Sequence, residues 1–321
     1  MRYSPIIAIV GALGLGAGQL GAAEPLGIGT SGQGAATYSM GSAIAKVAKE
    51  KAGLEIRVQP HGGTGKVVPL VNSGRLDLGL ANILEVTNAV KGRGPFKGRP
   101  HPNLKLVGVM YPFRVGFFVR KGSAIRDHRD IKGKRIGAGY TSQRIIGTLV
   151  KAVLNNAGLT MADMKPVPVV NILRQADDFI AGKLDVGFFA MGSGKVKQID
   201  AAVGGIRFIS IDPSAAAVER MRKVVSKSFA QLTPKSSGIT GVTQDIHAMA
   251  YDYLLYAGAH VPDAQVHALA KAVAQNRAAL AASFRAFNSL DPKKMAKNIG
   301  LPYHPGAVRF YKEAKLWPSG M

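Results

Sequence analysis

The chain has no cysteine, one tryptophan, and only 19 acidic residues among 321. Without cysteine there is no disulfide and no lipid-bearing thiol, so an oxidising compartment is permitted but left unused. Histidine is also sparse. No two of the seven stand at metal-ligand spacing on one helix, and His260 and His267, which flank a proline, read as surface residues. Aromatic residues make up 7% of the chain, too few to interleave the basic positions as a nucleic-acid surface requires. The shortage of acid leaves a net charge of +23 and a pI near 10.3. That excess is spread over Lys91–Lys105, Arg120–Arg135 and Arg220–Lys227. Such spacing suits a solvated basic surface, or attraction to an anionic ligand, membrane surface or acidic partner.

What is present begins with a leader. Arg2 precedes an apolar run from Ile6 to Val10 that continues through Ala12, Leu13 and Leu15 and ends in Leu20-Gly21-Ala22-Ala23. Residues 1–23 are therefore expected to be a signal peptide, with a retained membrane anchor disfavoured by the short, glycine-broken core. The mature chain would start near Glu24 as a soluble, exported periplasmic protein. About 300 residues with 47% hydrophobic content can bury two cores.

The rest is organised around Ile28-Gly29-Thr30-Ser31-Gly32-Gln33-Gly34-Ala35-Ala36-Thr37-Tyr38, an apolar entry and a glycine loop that opens onto a helix. Met40, Ile44, Val47 and Ala48 share one stripe of that helix, and Gly53 stops it. A glycine loop at a helix N-terminus offers free N–H groups to a carboxylate or other anion. A strand over Glu55–Pro60 follows, then the turn His61-Gly62-Gly63-Thr64-Gly65, a helix through Val67–Val71, and a short strand over Leu76–Leu80. This β-α-β-α-β order predicts a largely parallel sheet flanked by helices, with ligand beyond the carboxyl ends of the strands. Thr30–Tyr38, Gly62–Thr64 and Ala81-Asn82 fall at that edge.

Residues Lys91–Asn103, rich in glycine, proline and basic residues, read as an exposed excursion. Apolar strands are expected over Leu104–Tyr111 and Val115–Val119, around Pro112-Phe113-Arg114. Arg135-Ile136-Gly137-Ala138-Gly139-Tyr140-Thr141-Ser142-Gln143 then repeats the opening design. A shift of 108 residues pairs Ile28 with Ile136 and lays Ser73–Gly79 on Ala181–Gly187, with Gly74, Leu76, Asp77 and Gly79 meeting Gly182, Leu184, Asp185 and Gly187. Duplication explains this, as does shared helix-stop and strand-start chemistry; either way two similar α/β lobes face a cleft. Asp77 and Asp185 read as structural caps. Ile246–Tyr256 reads as a buried strand or segment, and Pro262–Phe287 as one long alanine-rich helix.

These residues carry a family resemblance. The front loop to Thr37-Tyr38, His61-Gly62-Gly63-Thr64, Ser73–Gly79, Gly182–Phe189, and above all His304-Pro305-Gly306-Ala307 with Arg309–Glu313 resemble a TAXI-type solute receptor of a TRAP transporter, over essentially the whole mature chain. The resemblance implies a two-lobed α/β periplasmic-binding-protein fold of type II with crossover strands as hinge. It also implies a sodium-driven membrane permease as partner and a small acid such as glutamate as ligand. Ala36, Ser39 and Met40, and the loop Ala138–Ser142, depart from the family pattern where ligand would bind. The expected organisation is a first part of lobe 1 over 24–112, lobe 2 over 113–225, and a return segment over 226–321 packing on lobe 1.

Other motifs fit less well. Gly27–Gly32 matches G-x-G-x-x-G but has almost no strand before it once the leader is removed. Gly62–Lys66 and Gly192–Lys195 lack the upstream glycine and following hydroxyl of a phosphate loop, and Ser193 lacks a nucleophile elbow. The reading is therefore binding without chemistry: no catalytic residue, metal or cofactor, and a monomer that holds a small anionic or zwitterionic solute, such as an organic acid or amino acid. The expected contacts are Thr30, Ser31, Gln33, Gly34, Thr37, Tyr38, Gly63, Thr64, Asn82, Tyr140, Thr141, Ser142 and Gln143. Arg114, with Arg144 as a second candidate, would supply charge. A sensor that reports to a kinase, or a periplasmic enzyme on the same fold, are the alternatives from other classes.

Overall fold

The computed structural model describes residues 24–318, so the expected leader lies outside the described residues. The first unit comprises β1 (Leu26–Ser31), α1 (Ala36–Ala52), β2 (Ile56–His61), α2 (Thr64–Asn72), β3 (Leu78–Asn82) and α3 (Ile83–Val90). The long strand β4 (Leu104–Arg120) leaves it. The second unit is β5 (Arg135–Gly139), α4 (Arg144–Asn156), β6 (Lys165–Val169), α5 (Ile172–Ile180), β7 (Gly187–Ala190) and α6 (Gly194–Ala202). After β8 (Ile206–Phe208), α7 (Ala215–Arg222) and β9 (Phe229–Thr233), the strand β10 (Ile246–Gly258) returns. It leads to α8 (Asp263–Gln275), α9 (Arg277–Ser283) and α10 (Pro305–Glu313).

The two units are built alike. In the first, β2, β1 and β3 are parallel neighbours in that order, and β10 pairs antiparallel to β3. In the second, β6 and β5 are parallel, Ile136 bridges Val186 at the foot of β7, and β4 pairs antiparallel to β7. Asp77 Oδ2 accepts the Gly27 N–H at 2.6 Å, and Asp185 Oδ2 accepts the Arg135 N–H at 2.8 Å. Each carboxylate thus ties the start of a first strand to the approach of a third, at equivalent positions.

The same equivalence governs the centre of each sheet. Gly79 on β3 lies opposite Tyr256 of β10, and Gly187 on β7 lies opposite Phe118 of β4. A Cβ on either glycine would run into the ring across from it. Here glycine serves close approach, letting an aromatic from the crossover strand lie over the strand beside it.

Two sequence expectations need correction. The strands expected on either side of Pro112 are one continuous strand, with Pro112 opposite Asp252. Within β10, Ile246–Ala250 pairs with β9 while Tyr253–Ala257 pairs with β3. The single helix expected over Pro262–Phe287 breaks at Asn276 (φ −123°, ψ 40°), whose side-chain amide donates to the Ala272 carbonyl at 2.8 Å. A side chain that bonds a helix carbonyl competes with the backbone for it.

Adding a methyl at the crowded glycines is expected to be destabilising. Gly79→Ala and Gly187→Ala should each lose towards the upper end of about 1–3 kcal/mol in urea unfolding, the range for overpacking a filled core. Gly53→Ala, at an open helix C-cap with φ 62°, should lose about 1 kcal/mol from backbone strain alone. Equal losses at all three positions would contradict the ring-over-glycine account.

Candidate functional site

The carboxyl ends of the strands of both units converge on a cavity of about 50 Å³. Ser31 ends β1, Ala35 caps α1 and Ala36 and Thr37 begin it, Thr64 opens α2, and Asn82 ends β3. Across from them stand Gln143, Ile145, Ile146 and Leu149 of the α4 region, Ile172 at the start of α5, and Phe188, Phe189 and Ala190 of β7. Phe113 and Val115 of β4, with Tyr251 and Tyr253 of β10, complete the wall. The Phe113 ring stacks on Tyr253 (4.3 Å between centroids) and Tyr251 (5.8 Å), both tilted by 27°.

The glycines do two jobs. The Ser31 N–H donates to Thr37 Oγ1 at 3.1 Å, which closes the first loop and fixes the Thr37 hydroxyl against the cavity. The same loop also meets the opposite lobe. The Lys195 N–H at the start of α6 donates to the Gly34 carbonyl at 3.1 Å, and Gly34 holds φ 92° to present it. A Cβ on Gly32 would stand 3.2 Å from Leu173, and one on Gly63 3.0 Å from Gln143. Glycine at these positions lets the lobes close to contact.

Behind the polar wall lies a buried acid. Glu85 accepts from the Thr64 hydroxyl at 2.5 Å and from the Asn82 amide at 3.4 Å, while Asn82 Oδ1 caps α3 by accepting the Glu85 N–H at 2.8 Å. Burial raises the Glu85 carboxyl to about 7, with the Thr64 hydrogen bond opposing the shift. Burial, and secondarily the Glu85 charge, pushes the Tyr251 and Tyr253 hydroxyls above their usual range.

Of the residues singled out from sequence, Ser31, Thr37, Thr64, Asn82 and Gln143 reach this cavity. Thr30 does not: it is fully buried and its hydroxyl donates to the Ser31 carbonyl. Gln33 is exposed and Tyr38 half-buried, and neither lines the cavity; Gly34 and Gly63 take part through lobe contact. Arg114 is a correction. Strand alternation sends Phe113 and Val115 to the cavity and Arg114 to the other face, where burial lowers its guanidinium. Tyr140 is another: it is fully buried, with φ 45° and its hydroxyl donating to Gln175 Oε1 inside the second lobe.

Thr141, Ser142 and Arg144 open instead onto an outer groove of about 630 Å³, which shares Gln143 and Ile145 with the inner cavity. Glu85, Lys66, Arg99 and His101 border it from the first lobe. Sequence reading missed Glu85, though Asn82-x-x-Glu85 has capping-box spacing. The wall aromatics were passed over because buried strand residues carry no mark of which face they serve.

The profile of the NMT1-like family matches residues 28–314, nearly all of the described chain. The chain belongs to this family. Among curated proteins, 4-amino-5-hydroxymethyl-2-methylpyrimidine phosphate synthase of Schizosaccharomyces pombe is 33% identical over 88 residues, 27% of this chain and 23% of that protein. The match thus spans less than a quarter of that relative's length. Among solved structures, PhnD1 of Prochlorococcus marinus in complex with methylphosphonate superposes with a TM-score of 0.54 at 13% identity, covering 91% of this chain and 98% of the other. The amino acid ABC transporter substrate-binding protein AbpA of Streptococcus pneumoniae, bound to L-arginine, gives 0.50 at 12% identity, over 83% and 96%. At these identities the likeness establishes the fold, and this NMT1-like protein has the two-lobed α/β architecture of periplasmic binding proteins. Among its described residues no helix is long and apolar enough to cross a membrane.

Glu85 makes stability depend on pH in a definite direction. Its folded carboxyl titrates near 7 against 4.5 for the ordinary group, so the folded state keeps a proton that the unfolded chain has released. The protonated form is fully stable below about pH 4.5, and stability is withdrawn as pH rises towards 7. Relative to Glu85→Gln, the wild type should lose about 3 kcal/mol between pH 4.5 and 7.5 in denaturant unfolding. Parallel pH profiles for the two proteins would contradict this.

Proposed function

We propose that this protein is an extracytoplasmic solute-binding protein that captures a small organic acid or amino acid between its lobes and delivers it to a TRAP-type secondary transporter. The observation that carries the reading is the cavity whose wall is shared by both lobes and by the two crossover strands. A pocket divided in this way opens by lobe separation and is completed by closure. Membership of the NMT1-like family and the binding-protein fold support its solute-binding part, and the leader expected over residues 1–23 supports export.

The wall suggests how cargo is held. Ser31, Thr37 and Asn82 offer hydroxyl and amide donors to a carboxylate, and Thr64, whose own proton goes to Glu85, offers an acceptor to an ammonium or other donor. The apolar side, from Ile145, Ile172 and Phe189, takes the carbon skeleton and excludes water. Orientation rests on hydrogen bonds, without a clamping arginine. The closed form is what the membrane partner recognises.

Thermal unfolding of the ligand-stripped protein against amino acids, dicarboxylates and keto acids tests the capture step. A ligand at about 100 times its Kd should add about 2.7 kcal/mol. Gly32→Leu, which puts a side chain where Leu173 must sit, should weaken that ligand at least tenfold and leave the melting temperature of the empty protein unchanged. Full affinity in the variant would show that binding does not need closure. Uptake of the identified solute by vesicles carrying the permease, driven by sodium, tests delivery.

A further inference from the structure

The outer groove brings together cations that the inner cavity does not use. Lys66 in the first turn of α2 and Arg99 in the 91–103 segment stand on the first lobe; Arg144 at the start of α4 stands on the second. Among the described residues no carboxylate lies within ion-pairing distance of any of the three. Arg99 has a long 3.5 Å contact to the Pro95 carbonyl, and Lys66 and Arg144 make no side-chain hydrogen bond. The groove's one acid, Glu85, is turned to Thr64 and Asn82.

His101 supplies an independent sign. It is 7% exposed, lines the groove, packs edge-on against Phe96 at 5.1 Å, and its buried Nδ1 has no hydrogen-bond partner. Buried polar groups of a folded protein are ordinarily paired, so the orphaned nitrogen of a ring that lines the same groove as the three cations is a polar group left for a ligand. The groove's volume of about 630 Å³ lies in the range of small-molecule sites.

We propose that the outer groove is a second ligand site, for a compact multivalent oxoanion held between Lys66 and Arg99 of one lobe and Arg144 of the other, and that its occupancy favours the closed arrangement. Closure brings like charges from both lobes to one groove, which opposes closure when the groove is empty. An anion that bridges them reverses the sign of that effect. The proposal rests on the reading that the lobes open and close around cargo, and adds a site outside the cargo cavity. Di- or tricarboxylates and phosphate-bearing solutes share the required chemistry.

Isothermal titration of the full mature chain with citrate and with pyrophosphate, against chloride at constant ionic strength, tests it. Small-angle scattering of the same samples reports closure. One or both anions should bind with a single-site isotherm and reduce the radius of gyration, and the stronger arm identifies carboxylate or phosphate as the preferred group. The double variant Lys66→Gln/Arg144→Gln should bind at least tenfold more weakly while keeping its affinity for cargo. Undiminished binding in the double variant would overturn the proposal by placing the anion elsewhere on this basic surface. Binding without compaction would overturn the link to closure. If neither anion binds while a solute of the cargo panel does, the second site falls and the cargo reading stands; if nothing binds, both fall.

Discussion

Two strands decide where everything else can be. β4 and β10 pair with each other along their length, and each also edges the sheet of one lobe, β7 against β4 and β3 against β10. Neither lobe has a complete sheet without a strand that belongs equally to the other. The fit of Tyr256 over Gly79 and of Phe118 over Gly187 holds those edges in register, since a slip of one residue would turn every side chain to the wrong face. Register shifts between Tyr253 and Leu254 and between Leu255 and Tyr256 interrupt the pair within the stretch of β10 that borders β3. Bulges re-aim side chains, and next to these lie the stacked rings of Phe113, Tyr251 and Tyr253 that form part of the cavity wall.

Charge is sorted by depth around that wall. The residues that line the inner cavity are uncharged, the one acid nearby is buried a layer behind them, and the free cations stand outside in the groove. A charge at the inner wall would have to be desolvated on every closure, whereas hydroxyls and an amide give up fewer water contacts. Glu85 meets the same constraint by keeping its proton near neutral pH while accepting hydrogen bonds from two wall residues. The basic excess of the chain therefore acts at the groove and over the outer surface.

Much of this was legible in the sequence because it rests on local chemistry. Gly53 ending α1, the paired Asp77 and Asp185, and the order of strands and helices in both units are written in residues that act on their neighbours. Five of the singled-out residues reach the inner cavity for the same reason: strand-end loops of an α/β unit converge by topology. Arg114 failed for a reason of phase. Around Pro112 and Arg114, both faces of Val109–Val119 are apolar and buried, so nothing shows which alternate set faces the cleft. Tyr140 failed because its inward turn depends on space left by Gly137, where a Cβ would stand 2.9 Å from the tyrosine hydroxyl. The break at Asn276 was masked by a helical pattern that continues across it.

The repeat also explains why the cavity has two unlike sides. Adding 108 to the numbers of the polar residues Thr37, Thr64 and Asn82 gives Ile145, Ile172 and Ala190, and all six line the cavity. Equivalent positions on a common framework thus carry hydrogen-bonding groups in the first lobe and hydrocarbon in the second. Glu85 falls on Ser193, whose hydroxyl is buried without a partner, so the acid behind the wall also belongs to one lobe only. Directional contacts on one side fix how a solute lies, and they form before closure because they need only the first lobe. Apolar contacts on the other side are non-directional and gain in proportion to the area they cover, so they strengthen as the second lobe arrives. Two units on a common framework, unlike at these loop ends, suffice to separate orientation from enclosure.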